Sequence, residues 1–157
     1  MAELLYYHED FPVGRVFISR VYDLTADEIT TYAREFDWLP FHVDEELAAG
    51  SFLGGLCASG WHASSIIMRL LADSYATNAA SMGSFGIEEC KWLKPVRPGR
   101  LRLRTTVLEQ RVSSKRPEMG INNMLWELFD DRGEKLVEMR GANLFRTRAS
   151  LENVDAA

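Results

Sequence analysis

A change of hydrophobic period near Ser81 constrains this chain most. Beyond it, "GSFGIEECKWLKPV", "GRLRLRTTVLEQRVSS", "EMGINNMLWELFDD" and "EKLVEMRGANLFRTR" read as four strands. They are separated by "RPG" at Arg97–Gly99, "SKRP" at Ser114–Pro117 and "DDRG" at Asp130–Gly133, each with the composition of a turn. Strands joined by turns this short lie antiparallel, because parallel neighbours need a long crossover.

The first half supplies what such a sheet can close over. Gly14 to Tyr22 alternates as a further strand. Thr25, with Glu28 three residues on, reads as a capping box for a helix from Ala26 to Phe36. Ile29, Tyr32, Ala33 and Phe36 mark its apolar face, and Pro40 ends it. Asp44, Glu45 and Glu46 open a second short helix, where acids suit the positive end of the helix dipole. After the glycine-rich "SFLGGLCASG" comes "WHASSIIMRLLADSYAT", a helix apolar nearly all round, with Ser59 as its N-cap. The economical solution is one α+β domain, an antiparallel five-stranded sheet wrapped round a long central helix, with a face or edge left for a second subunit. The polar tail "ASLENVDAA", from about residue 149, is expected to fray.

Composition removes several classes of partner. The net charge of −5 offers no basic footprint for nucleic acid. The most apolar stretch, Gly54 to Ala72, is interrupted by His62 and Arg69, so no membrane span is expected. The N-terminus lacks a basic segment followed by an apolar core, which argues against a secretory signal and for a cytoplasmic protein. Cys57 and Cys90 have no Cys or His partner at zinc spacing and read as buried thiols in a reducing compartment. His8, His42 and His62 are too scattered for a metal site, so neither metal nor cofactor is expected.

The stretch "FDWLPFHVDEE" carries the chemistry. Asp37 stands at a helix C-terminus, a poor place for a carboxylate, since the last carbonyls carry partial negative charge. A chain bent at Pro40 brings His42 round to face it. An ionised Asp only accepts hydrogen bonds, while neutral His has one accepting and one donating nitrogen, so the pair can hold and activate a water. The plainer alternative is that His42 pairs with Asp44 or caps the next helix. Gly60, at the start of the central helix, offers a backbone N–H to a ligand carbonyl; alternatively it serves only tight packing. Lys91, Lys94, Arg97, Arg100, Arg102 and Arg104 form a basic run suited either to ligand phosphates or, for most of its members, to solubility.

At this point "FDWLPFHVDEELAAGSFLGGLCASGWHASSIIMRLL" and "KWLKPVRPGRLRLR" resemble the signature regions of the MaoC-like dehydratases, the branch of the hot-dog superfamily that includes (R)-specific enoyl-CoA hydratases. The resemblance implies a hot-dog fold and hydration or dehydration of a 2-enoyl-CoA or related acyl thioester. Carried over by motif, Asp37 and His42 activate water, and the Gly60 amide holds the thioester oxygen. It also implies a homodimer, or an assembly of dimers, with acyl-CoA entering at the subunit boundary. Two departures stand out. Leu39 occupies the place of an amide residue, and Trp61 that of an aliphatic one, where it reshapes the acyl tunnel. Leu39 keeps a non-catalytic acyl-thioester binder open as an alternative, and hot-dog proteins also include acyl-CoA thioesterases.

Overall fold

The protein is described by a computed structural model over residues 5–152. Strands β1 (Val16–Ile18) and β2 (Tyr22–Leu24) precede helix α1 (Ala26–Phe36). Two short helices, α2 (Pro40–Val43) and α3 (Glu45–Ala49), lead to the long α4 (Gly60–Ser74). Strands β3 (Ser81–Gly83), β4 (Ile87–Trp92), β5 (Gly99–Val112), β6 (Met119–Asp130) and β7 (Lys135–Arg146) follow, then the short α5 (Ala149–Glu152). The strands pair antiparallel in the order β1-β5-β6-β7-β3, with β2 also on β5 and β4 also on β7.

Seven strands thus stand where five were expected. They still fill five positions across the sheet, because each edge is broken into two pieces. On one edge, Ile18 lies opposite Arg104 but Tyr22 opposite Leu101, so an extra residue bulges between β1 and β2. Ser19 bridges the break: its N–H donates to the Leu103 carbonyl at 2.9 Å, and its Oγ accepts from the Leu103 N–H at 2.9 Å. On the other edge, the chain leaves β7 between β3 and β4 and returns in a shifted register.

Helix α1 begins at Thr25, whose Oγ1 accepts from the Glu28 N–H at 3.1 Å. The Glu28 carboxylate, expected to reach back to Thr25, is drawn elsewhere: it accepts from the Tyr22 hydroxyl and lies 3.6 Å from His62 Nε2. Ile29 and Ala33 are buried, but Phe36 is 65% exposed, contrary to the expected apolar face. The last turn of α1 projects past the core, and Phe36 rests on Tyr32 instead.

Ser59 caps α4, accepting from the His62 N–H at 3.1 Å. Ala63, Ile66, Ile67, Leu70 and Leu71 pack into one core with Leu101, Leu103, Met124, Trp126 and Leu128 of the sheet. Each such aliphatic side chain contributes about 1.5–3 kcal/mol relative to leaving it in water. The buried Tyr75 hydroxyl accepts from Trp126 Nε1 at 3.0 Å and donates to Asn143 Oδ1 at 2.9 Å, so this polar group is satisfied. A helix apolar nearly all round is usually buried, yet Trp61 is 65% and Met68 57% exposed. The sheet covers only one side of α4, and this face looks out beside β4, as the Trp61–Trp92 and Ser64–Cys90 contacts mark.

Of the tail expected to fray, Ala149–Glu152 form α5, and the residues after it lie outside those described. No helix among the described residues is long and apolar enough to cross a membrane. An antiparallel sheet curled round one long helix is the hot-dog arrangement.

Candidate active site

Helix α1 stops on Asp37, whose N–H donates to the Ala33 carbonyl at 3.0 Å. The chain then turns at once: the Leu39 N–H donates to the Asp37 carbonyl at 2.8 Å. Pro40 does more than end α1. It opens α2 at the first helical position, where its missing N–H leaves nothing unpaired. The His42 N–H closes that turn on the Leu39 carbonyl at 2.9 Å. The bend expected between Asp37 and His42 is therefore a tight helical turn, ordered by backbone bonds.

The His42 ring points inward, and the residue is 7% exposed. Its Nδ1 lies 2.8 Å from the Cys57 carbonyl. A carbonyl only accepts, so Nδ1 carries the hydrogen, and in neutral His42 the Nε2 lone pair is left free. That Nε2 is 3.9 Å from Asp37 Oδ2. The plainer alternative, a His42–Asp44 pair, is not made: Asp44 caps α3, accepting from the Leu47 N–H at 2.9 Å.

Gly60 is the first residue of α4. Ser59 takes up the third and fourth helical donors, the His62 N–H on its Oγ and the Ala63 N–H on its carbonyl, at 3.1 and 3.0 Å. Among the described residues nothing accepts from the Gly60 or Trp61 N–H. Gly60 also has a packing reason: a Cβ built there would stand 2.4 Å from the Trp92 indole. The two readings of this glycine are thus compatible.

Asp37, His42 and Gly60 line one cleft of about 360 Å³, with Phe41, Cys57 and Trp92 among its other walls. That volume suits a small organic group. A larger cavity of about 640 Å³ lies along β5, among Arg100, Arg102, Arg104 and Asp130, and contains none of Asp37, His42 and Gly60.

The remaining sequence features fall mostly to structure. His62 is buried, stacked on Tyr32 with ring centroids 4.3 Å apart. Burial pushes its pKa below the ordinary value, partly offset by Glu28. Within the basic run, Lys91 pairs with Glu89 at 2.7 Å, Arg104 with Glu127 at 2.7 Å and Arg100 with Asp23 at 3.6 Å, while Lys94 pairs with Glu134. Cys57 is a buried thiol held above its usual pKa by burial, with Arg97 opposing the shift, whereas Cys90, expected to be buried, is exposed on the edge strand β4. Its contribution to the cleft is a carbonyl, which no residue-type pattern reveals. Trp92, lying over Gly60, read in the sequence only as a strand residue.

Comparison with known proteins adds the following. The sequence model of the MaoC like domain matches residues 11–125. The MaoC-like dehydratase from Rhodospirillum rubrum is 37% identical, with a TM-score of 0.82 covering 91% of this chain and 98% of that one. The uncharacterized protein YdeM of Bacillus subtilis (strain 168) is 28% identical over 130 residues, 83% of this chain and 92% of its own. The R-hydratase PhaJ1 from Pseudomonas aeruginosa, unliganded, shares 19% identity and a TM-score of 0.69 over 89% of this chain and 84% of that one, a likeness of fold.

Proposed function

This chain belongs to the MaoC-like domain family, and on that premise we propose that it is a hydro-lyase, adding or removing water across the double bond of a 2-enoyl-CoA or related acyl thioester. The observation that carries the reading is the 3.9 Å separation of His42 Nε2 and Asp37 Oδ2. It is too long for a direct hydrogen bond and suits one shared water. Both atoms are acceptors, given the Nδ1–H bond to Cys57. A water between them donates both hydrogens and keeps a lone pair for attack.

In the hydration direction that oxygen bonds to C3 of the enoyl group, and the C2–C3 π electrons move toward the thioester carbonyl. The Gly60 N–H donates to the developing oxyanion, as a helix N-terminus favours. The proton taken from water by the Asp37–His42 pair goes to C2. The net change is addition of one H and one OH, with no redox step.

The segment keeps its order with Leu39 in place: the Leu39 N–H to Asp37 and His42 N–H to Leu39 bonds, at 2.8 and 2.9 Å, are made by backbone and need no amide side chain. The proposal includes a homodimer, supported by the exposed apolar face of α4 beside the open edge of β4, and a cytoplasmic location, which rests on the sequence reading alone.

The deciding experiment is Asp37→Asn, assayed by loss of the conjugated thioester absorbance of crotonyl-CoA. Hydration should fall about 10²–10⁴-fold, the usual worth of a general acid–base group. The circular dichroism spectrum should be unchanged. Equal rates for the folded variant and the wild type would end the proposal.

A further inference from the structure

His42 owes its tautomer and orientation to the Cys57 carbonyl, so whatever holds Cys57 in place acts on the cleft. Cys57 lies two residues before the end of an irregular segment that leaves α3 at Gly50 and reaches α4 at Ser59. One end of that segment is tied by backbone: the Ala58 N–H donates to the Val96 carbonyl at 2.8 Å. Before Ala58 the Gly55 N–H donates to the Ala48 carbonyl at 3.0 Å, and between Gly55 and Ala58 a side chain adds the tie. Arg97, exposed and next to Val96, sends its guanidinium back over the segment. Its Nη1 donates to the Leu56 carbonyl at 3.4 Å, and its Nη2 donates to the Leu53 carbonyl.

Gly55 makes room for this. Its φ is +146°, and a Cβ there would stand 2.9 Å from Arg97 Nη1. The fork of a guanidinium suits two carbonyls at once, which a single ammonium does not match. Arg97 is thus spoken for by the backbone, unlike Lys91, Lys94 and Arg104, which pair with carboxylates.

We infer that Arg97 is a positioning residue for His42: by clasping the Leu53 and Leu56 carbonyls it holds the segment whose Cys57 carbonyl orients the imidazole. The kinetic part of this inference rests on the hydro-lyase reading; the structural part does not.

The test uses the full chain with Arg97→Met and Arg97→Lys. The His42 ring N–H is followed by proton–nitrogen NMR, which needs no turnover. In the wild type the buried Nδ1–H should give a slowly exchanging resonance. In Arg97→Met that resonance should shift, with exchange faster by about tenfold or more, and Arg97→Lys should recover part of the difference. Should Arg97→Met fail to fold, Arg97→Lys decides through the same resonance. With crotonyl-CoA, kcat should fall about tenfold, as expected for a displaced catalytic group. KM should stay within about twofold, since no substrate contact is removed. A wild-type resonance in both variants overturns the inference whatever the activity. So does a raised KM at constant kcat, which would assign Arg97 to a phosphate of the thioester's carrier. If the wild type hydrates no enoyl thioester, the hydro-lyase reading falls, and the resonance alone decides the role of Arg97.

Discussion

At the scale of single residues, the cleft combines groups that the sequence announces with groups it conceals. Asp37 is announced by its misfit: a carboxylate on the carbonyl end of a helix costs about 0.3–1 kcal/mol. His42 is announced by a proline-broken spacing. Cys57 is concealed, because its contribution is a backbone carbonyl. Gly60 lies between the two, since glycine at a helix start marks either packing or a ligand. Its packing role makes a sharp prediction. In Gly60→Ala the new methyl meets the Trp92 indole at 2.4 Å. Helix propensity favours alanine by up to about 1 kcal/mol. Overpacking costs about 1–3 kcal/mol, so the clash wins and the variant is destabilised. Trp92→Val removes the obstacle. The double variant should therefore lose less stability than the two single losses added together, by about 0.5–3 kcal/mol. Urea denaturation of all four proteins reads this directly. Strict additivity would mean that Trp92 does not cover Gly60.

At the scale of elements, the bounds of α1 were legible because chemistry marks both ends: a Thr25 cap at one, and the approach to Pro40 at the other. The long strands were legible from their turns. The split edges were not, because a bulge is a matter of register against a partner strand, and a single strand's alternation says nothing of its partner. The exposure of one face of α4 was equally hidden, since an all-round apolar helix does not say which face its own chain leaves uncovered. That face and β4 now belong together. β4 pairs with β7 on one side only, and Ile87 and Trp92 are 51% and 50% exposed, next to Trp61 and Met68. An open edge flanked by apolar side chains invites pairing with another chain. The homodimer proposed above should use it, so sedimentation velocity should give a dimer for the wild type. Ile87→Glu, which places a like charge twice at the seam, should give a folded monomer. A wild-type monomer at micromolar concentration, or an undisturbed dimer in the variant, would remove β4 from the interface.

At the scale of the whole molecule, the buried titratable groups shape a stability profile with two slopes. His8 and His62 are both buried, and burial lowers both pKa values, with Glu9 and Asn122 opposing at His8 and Glu28 at His62. In the unfolded chain each takes its proton near the ordinary 6.5, while the folded protein holds it off to lower pH. The unfolded state therefore binds more protons below that point, and stability falls as pH drops. The slope is at most about 1.4 kcal/mol per pH unit for each proton. The Lys135 hydrogen bond holds the Glu138 carboxyl low, so its stabilisation is lost further down, as pH falls below 4.5. On the alkaline side, burial is the largest cause raising Tyr22 and Tyr75 from 10.0 to about 12, with Glu28 adding to the effect at Tyr22 and hydrogen bonds to Trp126 and Thr105 opposing it at Tyr75. Unfolded tyrosines ionise first, so stability falls again as pH rises between those values. The Cys57 thiol, also held up by burial, ionises first in the unfolded chain near 9.0, so melting temperature should be flattest between about pH 7 and 8. His62→Phe keeps an aromatic ring against Tyr32 and removes one titration, so its melting temperature should fall less steeply than the wild type's between pH 6.5 and 5. The comparison of slopes, rather than of absolute stabilities, isolates the proton from the packing change. Parallel curves for the two proteins would show that His62 is not held neutral by the fold.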